Sequence, residues 1–235
     1  MVLTIAVDGP VGAGKSSVAD EVARRLGILH MDTGAMYRAF AYQAIKEGVD
    51  SRDAQALEAL AGREMPEVRF ENGAQRTLIA GQDVTDLIRT PEISMAASVI
   101  SMVPAVRRAM VARQRELAGH QSMLLDGRDI GTRVLPDATL KIFLTASPEV
   151  RARRRFEELQ TKGDPSTYEE VLRDVIQRDH QDTTRETDPL RPAQDAQILD
   201  SSLMTREQVV EDVLRRVALR KGRMPAPEEK LTPMY

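Results

Sequence analysis

Short apolar runs alternate along this chain with longer stretches in which apolar residues return every third or fourth position. Residues 2–7 form an uncharged run rich in β-branched side chains, the pattern of a short strand buried on both faces. A glycine-rich loop follows. From residue 15 to 26, Val18, Val22 and Leu26 recur every four residues and mark one face of a helix. Residues 28–31 predict a second short strand and 36–46 a second helix. Strand, helix, strand, helix is the rhythm of a parallel sheet with crossover helices.

That rhythm breaks between about residues 63 and 89. Val68 and Phe70 alternate, Asn72-Gly73 is a strong hairpin turn, and 77–80 predicts the return strand. The segment reads as a small antiparallel insertion. Helices resume at Pro91 and Pro104, each with proline at a natural starting position. Strands follow at 123–126 and 140–144, helices at 148–162 and 167 to about 182, a last strand at 198–199 and a closing helix over 205–220. The reading is an α/β fold: one domain over 1–220 with a central parallel sheet of about five strands flanked by helices. The tail from 221 holds three prolines and few large apolar residues, and is expected to be disordered.

The loop at the end of the first run is Gly9-Pro10-Val11-Gly12-Ala13-Gly14-Lys15-Ser16, followed by Ser17. It fits G-x-x-x-x-G-K-[ST] between a predicted strand and a predicted helix, which makes it a P-loop. Glycines let the backbone bend tightly and turn its N–H groups inward, and the helix N-terminus behind them favours anions. In such a loop Lys15 reaches the β- and γ-phosphates of a nucleoside triphosphate, and the Ser16 hydroxyl is a ligand of Mg2+.

Composition narrows the rest. The chain has no cysteine, which removes disulfides, thiolate metal sites and thiol catalysis and suits a reducing cytoplasm. A net charge of −3 supplies no basic field for nucleic acid, and 3% aromatics with no tryptophan offer no stacking platform for single strands. The longest uncharged stretch, 93–106, is too short to span a bilayer, and no secretory signal fits the start. A soluble cytoplasmic protein, monomeric and without nucleic-acid or membrane partners, is expected.

Among P-loop proteins, a guanine-reading switch is disfavoured. Asn72 is the only asparagine, so no N-K-x-D loop exists, and D-x-x-G is absent. Arginines stand at informative spacings instead. Arg151, Arg154 and Arg155 fall at i, i+3, i+4, and Arg178, Asp182 and Arg185 at i, i+4, i+7, one face if the helix continues that far. Such arginines are either a solvated surface tied by ion pairs or, beside a P-loop, the fixed cations that neutralise reacting phosphates.

Together with the P-loop, three stretches carry a resemblance: Asp32-Thr33-Gly34-Ala35-Met36-Tyr37-Arg38, Asp126-Gly127-Arg128-Asp129-Ile130-Gly131-Thr132, and Arg178-Asp179 through Arg185. With Asp8-Gly9-Pro10, and over residues 4–220, the chain resembles the bacterial cytidylate kinases of the nucleoside monophosphate kinase group. The resemblance implies Mg2+-dependent phosphoryl transfer from ATP to CMP or dCMP, an acceptor-binding insertion at about 63–89, and an arginine-rich helical lid at about 148–190. It places cytosine contacts on Thr33, Arg107, Asp129 and Arg185 and pentose contacts on Ser98, Arg178 and Asp182. The acceptor phosphate falls to Arg38 and Arg128, and the lid over ATP to Arg151, Arg154 and Arg155. Thr33 stands where serine is frequent in the family.

Plainer roles remain beside these. Thr33 and Ser98 suit helix caps, as does Asp32. Asp126 either holds Mg2+ through water or accepts backbone N–H groups. Tyr37 either bounds the acceptor or packs in the core. Only one of Arg107 and Arg108 can face a pocket. His30, His120 and His180 lack metal-ligand spacing and read as structural or surface residues.

Overall fold

The computed structural model describes residues 2–119, 121–161 and 163–222. In chain order the elements are β1 (Thr4–Asp8), α1 (Lys15–Leu26), β2 (Leu29–Asp32), α2 (Thr33–Lys46) and α3 (Ala54–Arg63). β3 (Glu67–Glu71), β4 (Ala74–Ile79), β5 (Gln82–Asp83), α4 (Pro91–Ile100) and α5 (Pro104–Ala118) come next. The chain then runs through β6 (Met123–Gly127), β7 (Leu140–Thr145), α6 (Pro148–Thr161), α7 (Tyr168–Thr184), β8 (Gln197–Asp200) and α8 (Arg206–Lys221). The tail expected from 221 begins later, since α8 runs through Lys221; from 223 on it lies outside the described residues, as do His120 and Lys162.

Five strands form one parallel sheet in the order β2-β6-β1-β7-β8, and β3, β4 and β5 form a separate antiparallel sheet. Alternate residues of each strand serve opposite faces. Ala6, Met123 and Leu125 join one core with α2, α4 and α5, whereas Ile5, Val7 and Leu124 join another with α1 and α8. Burial on both faces explains why these strands read as unbroken apolar runs. α6 and α7 pair outside the sheet around a small cluster of Ala152, Val171 and Val175, against which Val11 of the P-loop packs.

Three local readings are corrected. α2 starts at Thr33, three residues earlier than the apolar period suggests, because the Asp32 side chain caps it by accepting from the Ala35 N–H at 3.0 Å. α3 escapes the periodic reading because only Leu57 and Leu60 anchor it; Asp53 caps its start. α7 ends at Thr184, so Arg185 leaves the helix in an extended conformation, and the Asp182 carbonyl accepts from the Leu190 N–H at 2.7 Å. No single helix among the described residues is long and apolar enough to cross a membrane.

Candidate active site

The carboxyl edge of the parallel sheet gathers the motifs, as expected where loops leave an open α/β sheet. β1 feeds the P-loop, whose Gly9, Gly12 and Gly14 have φ of 152°, 75° and 85°. A Cβ added to Gly9 would lie 2.0 Å from the Leu144 carbonyl oxygen of neighbouring β7. Gly14 caps α1 with no side-chain bond, so the first-turn N–H groups face the loop. Gly9→Ala is therefore expected to cost about 3 kcal/mol of stability and to weaken nucleotide binding at least about tenfold, since loop and β7 must part. Urea unfolding and titration with a fluorescent triphosphate read both; parent-like values would show that this contact does not constrain the loop.

Lys15 is buried, and its Nζ donates to the Pro10 carbonyl at 2.8 Å. Burial lowers its ammonium to about 7, Arg128 pushes the same way, and Asp126, Asp182 and Asp8 oppose them. The Ser16 hydroxyl donates to Asp126 Oδ2 at 2.8 Å, while the exposed Ser17 hydroxyl donates to the Gly14 carbonyl at 3.0 Å. Asp126 Oδ1 faces His30 Nε2 at 2.9 Å, and His30 Nδ1 faces Asp20 Oδ1. Burial opposes a charge on His30, but the hydrogen bonds to Asp126 and Asp20 prevail and raise it to about 10. His30 is thus a structural residue rather than a surface one, and its partners lie 10 and 96 positions away, where no spacing rule finds them.

Asp8 ties the P-loop strand to the loop beyond β6. Its carboxylate accepts from the Ile130 and Gly131 N–H groups, each at 2.7 Å, at the start of a single π-turn (Ile130–Val134). Burial raises its pKa to about 6 against those two donors. That anchorage sets Arg128 and Asp129 immediately before the turn. Gly127 is needed beside them, because a Cβ there would fall 2.7 Å from the Thr33 hydroxyl. Thr33 itself donates to the Asp126 carbonyl at 2.7 Å and caps nothing.

Guanidinium groups from separate segments converge on this edge. Arg128 Nε donates to Asp182 Oδ2 at 2.7 Å. Arg107, 2% exposed, donates from Nη2 to Asp129 Oδ2, from Nε to Asp188 Oδ2 at 3.3 Å and from Nη1 to the Ser101 carbonyl at 3.1 Å. Arg108 is exposed, which settles which of the pair faces inward. Arg185 donates from Nε to the Asp188 carbonyl at 2.7 Å, and its Nη2 lies 4.0 Å from Asp129 Oδ1. Arg38 donates to Asp32 Oδ2 at 2.6 Å, with Arg89 3.8 Å from the same oxygen. Two buried donors in this cluster, Arg38 Nε and Arg185 Nη2, have no hydrogen-bond partner among the described residues. Such groups are costly to leave unmatched.

The remaining expected residues are dispersed. Tyr37 packs beside the core with its ring 6.0 Å from the Arg107 guanidinium, and burial pushes its phenol up to about 12. Ser98 sits inside α4, whose cap is Thr90, and Arg178 pairs with Asp174 at 3.0 Å. The three α6 arginines fan out to different partners. Arg151, buried, grips both oxygens of Asp179 and the Val11 carbonyl, Arg154 donates to the Ser201 carbonyl at 2.7 Å, and Arg155 pairs with Glu158 at 2.8 Å. Beside the P-loop, Arg154, Ser201, Thr205 and Arg206 line a cavity with Ala13 and Gly14. Sequence reasoning missed that loop, as it missed Arg89 and Asp188, and it quoted Asp179 without a partner. Asp188, at φ 49°, carries the only local signal, an aspartate able to adopt a left-handed turn.

No group of three or more histidine, aspartate or glutamate side chains that would hold a metal by itself occurs among the described residues. The adjoining Ser16 and Asp126 oxygens nevertheless suit magnesium, which prefers hard oxygen donors, keeps several waters and takes phosphate oxygens from its substrate.

A parallel sheet in this order, with a glycine loop and lysine after its first strand, defines a P-loop kinase. The family model for cytidylate kinase matches residues 5–219. The chain belongs to the cytidylate kinase family, a family of phosphotransferases. It is 48% identical over 215 residues to the cytidylate kinase of Pelotomaculum thermopropionicum, covering 91% of this chain and 95% of that one. To the cytidylate kinase of Geobacillus kaustophilus it is 47% identical over 220 residues, covering 94% and 98%. Among solved structures, a shikimate kinase from Bacteroides thetaiotaomicron aligns with a TM-score of 0.48 at 16% identity, over 92% of this chain and 98% of that one.

Proposed function

We propose that the protein transfers the γ-phosphoryl group of ATP to CMP or dCMP, with Mg2+, giving ADP and CDP or dCDP. The observation that carries this reading is the convergence of Arg38, Arg107, Arg128 and Arg185 on the P-loop edge, with two buried N–H groups left unmatched. In this reading the P-loop amides and Lys15 cradle the donor phosphates, and its base lies in the cavity against Arg154 and the 201–206 loop. Ser16, with Asp126 behind it, would hold a magnesium ion, which would supply positive charge against the transferring phosphate. Arg38 and Arg128 clamp the acceptor phosphate. Arg107, Asp129, Arg185 and Thr33 read cytosine, and Ser98, Arg178 and Asp182 the pentose.

A monophosphate has a second pKa near ~6, so its oxygen attacks already ionised and no general base is needed. The new bond joins that oxygen to the γ-phosphorus, and the bond to the ADP β-phosphate oxygen breaks. Residues 63–89 serve as the acceptor-binding insertion and 148–190 as the lid that excludes water, within one kinase domain over 1–220. The protein acts as a cytoplasmic monomer on small nucleotides, not on nucleic acid. An acceptor panel of CMP, dCMP, UMP and AMP, read by ADP release with and without Mg2+, tests the acceptor and the metal requirement. CMP and dCMP should lead and Mg2+ should be required; stronger turnover with another acceptor would replace the assignment.

A further inference from the structure

We propose that His30 is the positioning residue of the phosphate-loop serine: by bridging Asp20 and Asp126 it fixes the carboxylate that aims Ser16 at the donor's metal ion. The inference rests on the kinase reading and adds a residue to it. β2 turns Leu29 and Met31 toward the α2 core, so the residue between them points to the other face, over which α1 lies. There His30 Nε2 meets Asp126 Oδ1 at 2.9 Å, and Nδ1 meets Asp20 Oδ1 at 2.5 Å. Ser16 and Asp20 stand one turn apart on α1. Ser16, Asp126, His30 and Asp20 therefore close a ring across α1, β6 and β2.

Each member has a defined job in that ring. Carboxylates only accept, so both nitrogens of His30 carry hydrogen and both bonds run outward from the imidazole. Asp126 is 3% exposed, and its oxygens are divided: Oδ1 to His30 and Oδ2 to the Ser16 hydroxyl. A serine hydroxyl has one hydrogen. Once it is donated to Asp126, the lone pairs of Oγ are turned toward the loop, where a metal ligand must present them. Without His30, Asp126 is free to rotate about its side chain and takes that orientation with it. Asp20 is largely exposed and fixes only the plane of the ring. Outer-shell partners of this kind usually change metal affinity by about 10–100-fold.

Binding of Mn2+ to the enzyme–ADP complex, read from the free-ion EPR signal, tests this without requiring turnover. His30→Phe keeps ring volume and loses both bonds. It should weaken Mn2+ by about 10–100-fold and raise the Mg2+ concentration for half-maximal turnover, with the KM for CMP within about twofold of the parent. His30→Gln keeps an N–H that reaches Asp126 and should restore most of the affinity. His30→Asn, too short to reach both carboxylates, carries the same expected loss should the phenylalanine variant not fold. Parent-like Mn2+ affinity in either losing variant overturns the proposal, as does a loss that glutamine does not relieve, which would mean a packing defect. A parent that ignores CMP while its Mn2+ affinity still follows His30 would instead sink the acceptor assignment and leave this inference standing.

Discussion

Exchange of Lys15 for methionine is expected to lower turnover by about 10²–10³-fold while leaving the fold as stable as the parent or more so. The two effects have one cause. Lys15 is enclosed, its ammonium donates to the Pro10 carbonyl, and burial with the nearby Arg128 holds it down to about 7. In the folded protein without ligand that charge is a burden. It becomes useful only when phosphates arrive, which is the ordinary exchange of stability for function at a prepared site. Methionine fills nearly the same volume without the charge. The pH dependence has a definite sign. A lysine lowered from 10.5 to about 7 binds fewer protons in the folded state, so its contribution rises with pH across that window. His30, raised from 6.5 to about 10, contributes stability that is fully present below 6.5 and lost by about 10. The two windows overlap with opposite slopes and offset each other in the parent. Lys15→Met should expose the falling slope of His30 alone, as a lower urea midpoint at pH 9.5 than at pH 7. A variant that unfolds far more easily than the parent at pH 7, or that keeps turnover within tenfold, would contradict this account.

What was legible in the sequence follows from how locally each feature is determined. The inner strands β6, β1 and β7 are enclosed by helices on both faces, so each announces itself as an apolar run needing no partner to be recognised, whereas edge strand β8, with Ile198 62% exposed, shows only as a two-residue signal. The P-loop is nearly as local, because its glycines answer chiefly to backbone geometry within eight residues, with only the Leu144 carbonyl of β7 and Arg151 of α6 close by. Side-chain alliances are another matter. Helical spacing puts Arg151 on one face with Arg154 and Arg155, yet it alone of the three is buried and ties Asp179 to the P-loop, 28 and 140 positions away. Periodicity ranks residues by face and says nothing of which partner the face meets. Arg185 illustrates the converse. It reaches the cluster although the helix that predicted its direction has already ended, because the turn closed by Leu190 carries it back toward Asp129.

The largest change in selectivity is expected at Asp129, and its two substitutions separate stability from base reading. Asp129→Ala removes the carboxylate from a nearly inaccessible Arg107, leaving that guanidinium to Asp188 and the Ser101 carbonyl. Breaking one side of a buried ion pair costs about 3–5 kcal/mol, so this variant should unfold at markedly lower urea as well as lose discrimination. Asp129→Asn keeps the shape and an oxygen for Arg107, and changes chiefly the polarity offered to a base. In the parent, Oδ2 is taken by Arg107, whereas Oδ1 has only Arg185 Nη2 at 4.0 Å and can accept from an amino group. Cytosine supplies that group; uracil presents a carbonyl that would meet the carboxylate lone pair to lone pair. Sites built on such a bond reject the mismatched analogue by about 10⁴-fold, since their own polar groups are left unpaired. An asparagine amide can donate to the uracil carbonyl, so the ratio of kcat/KM for CMP to that for UMP should fall by at least about 10²-fold. The gain should appear on the UMP side as well as the loss on the CMP side. If Asp129→Asn remains folded and keeps the parent's ratio within tenfold, the cytosine amino group is read elsewhere. Arg185, with its unmatched Nη2, would still hold the base, but it offers only donors and cannot prefer an amino group over a carbonyl.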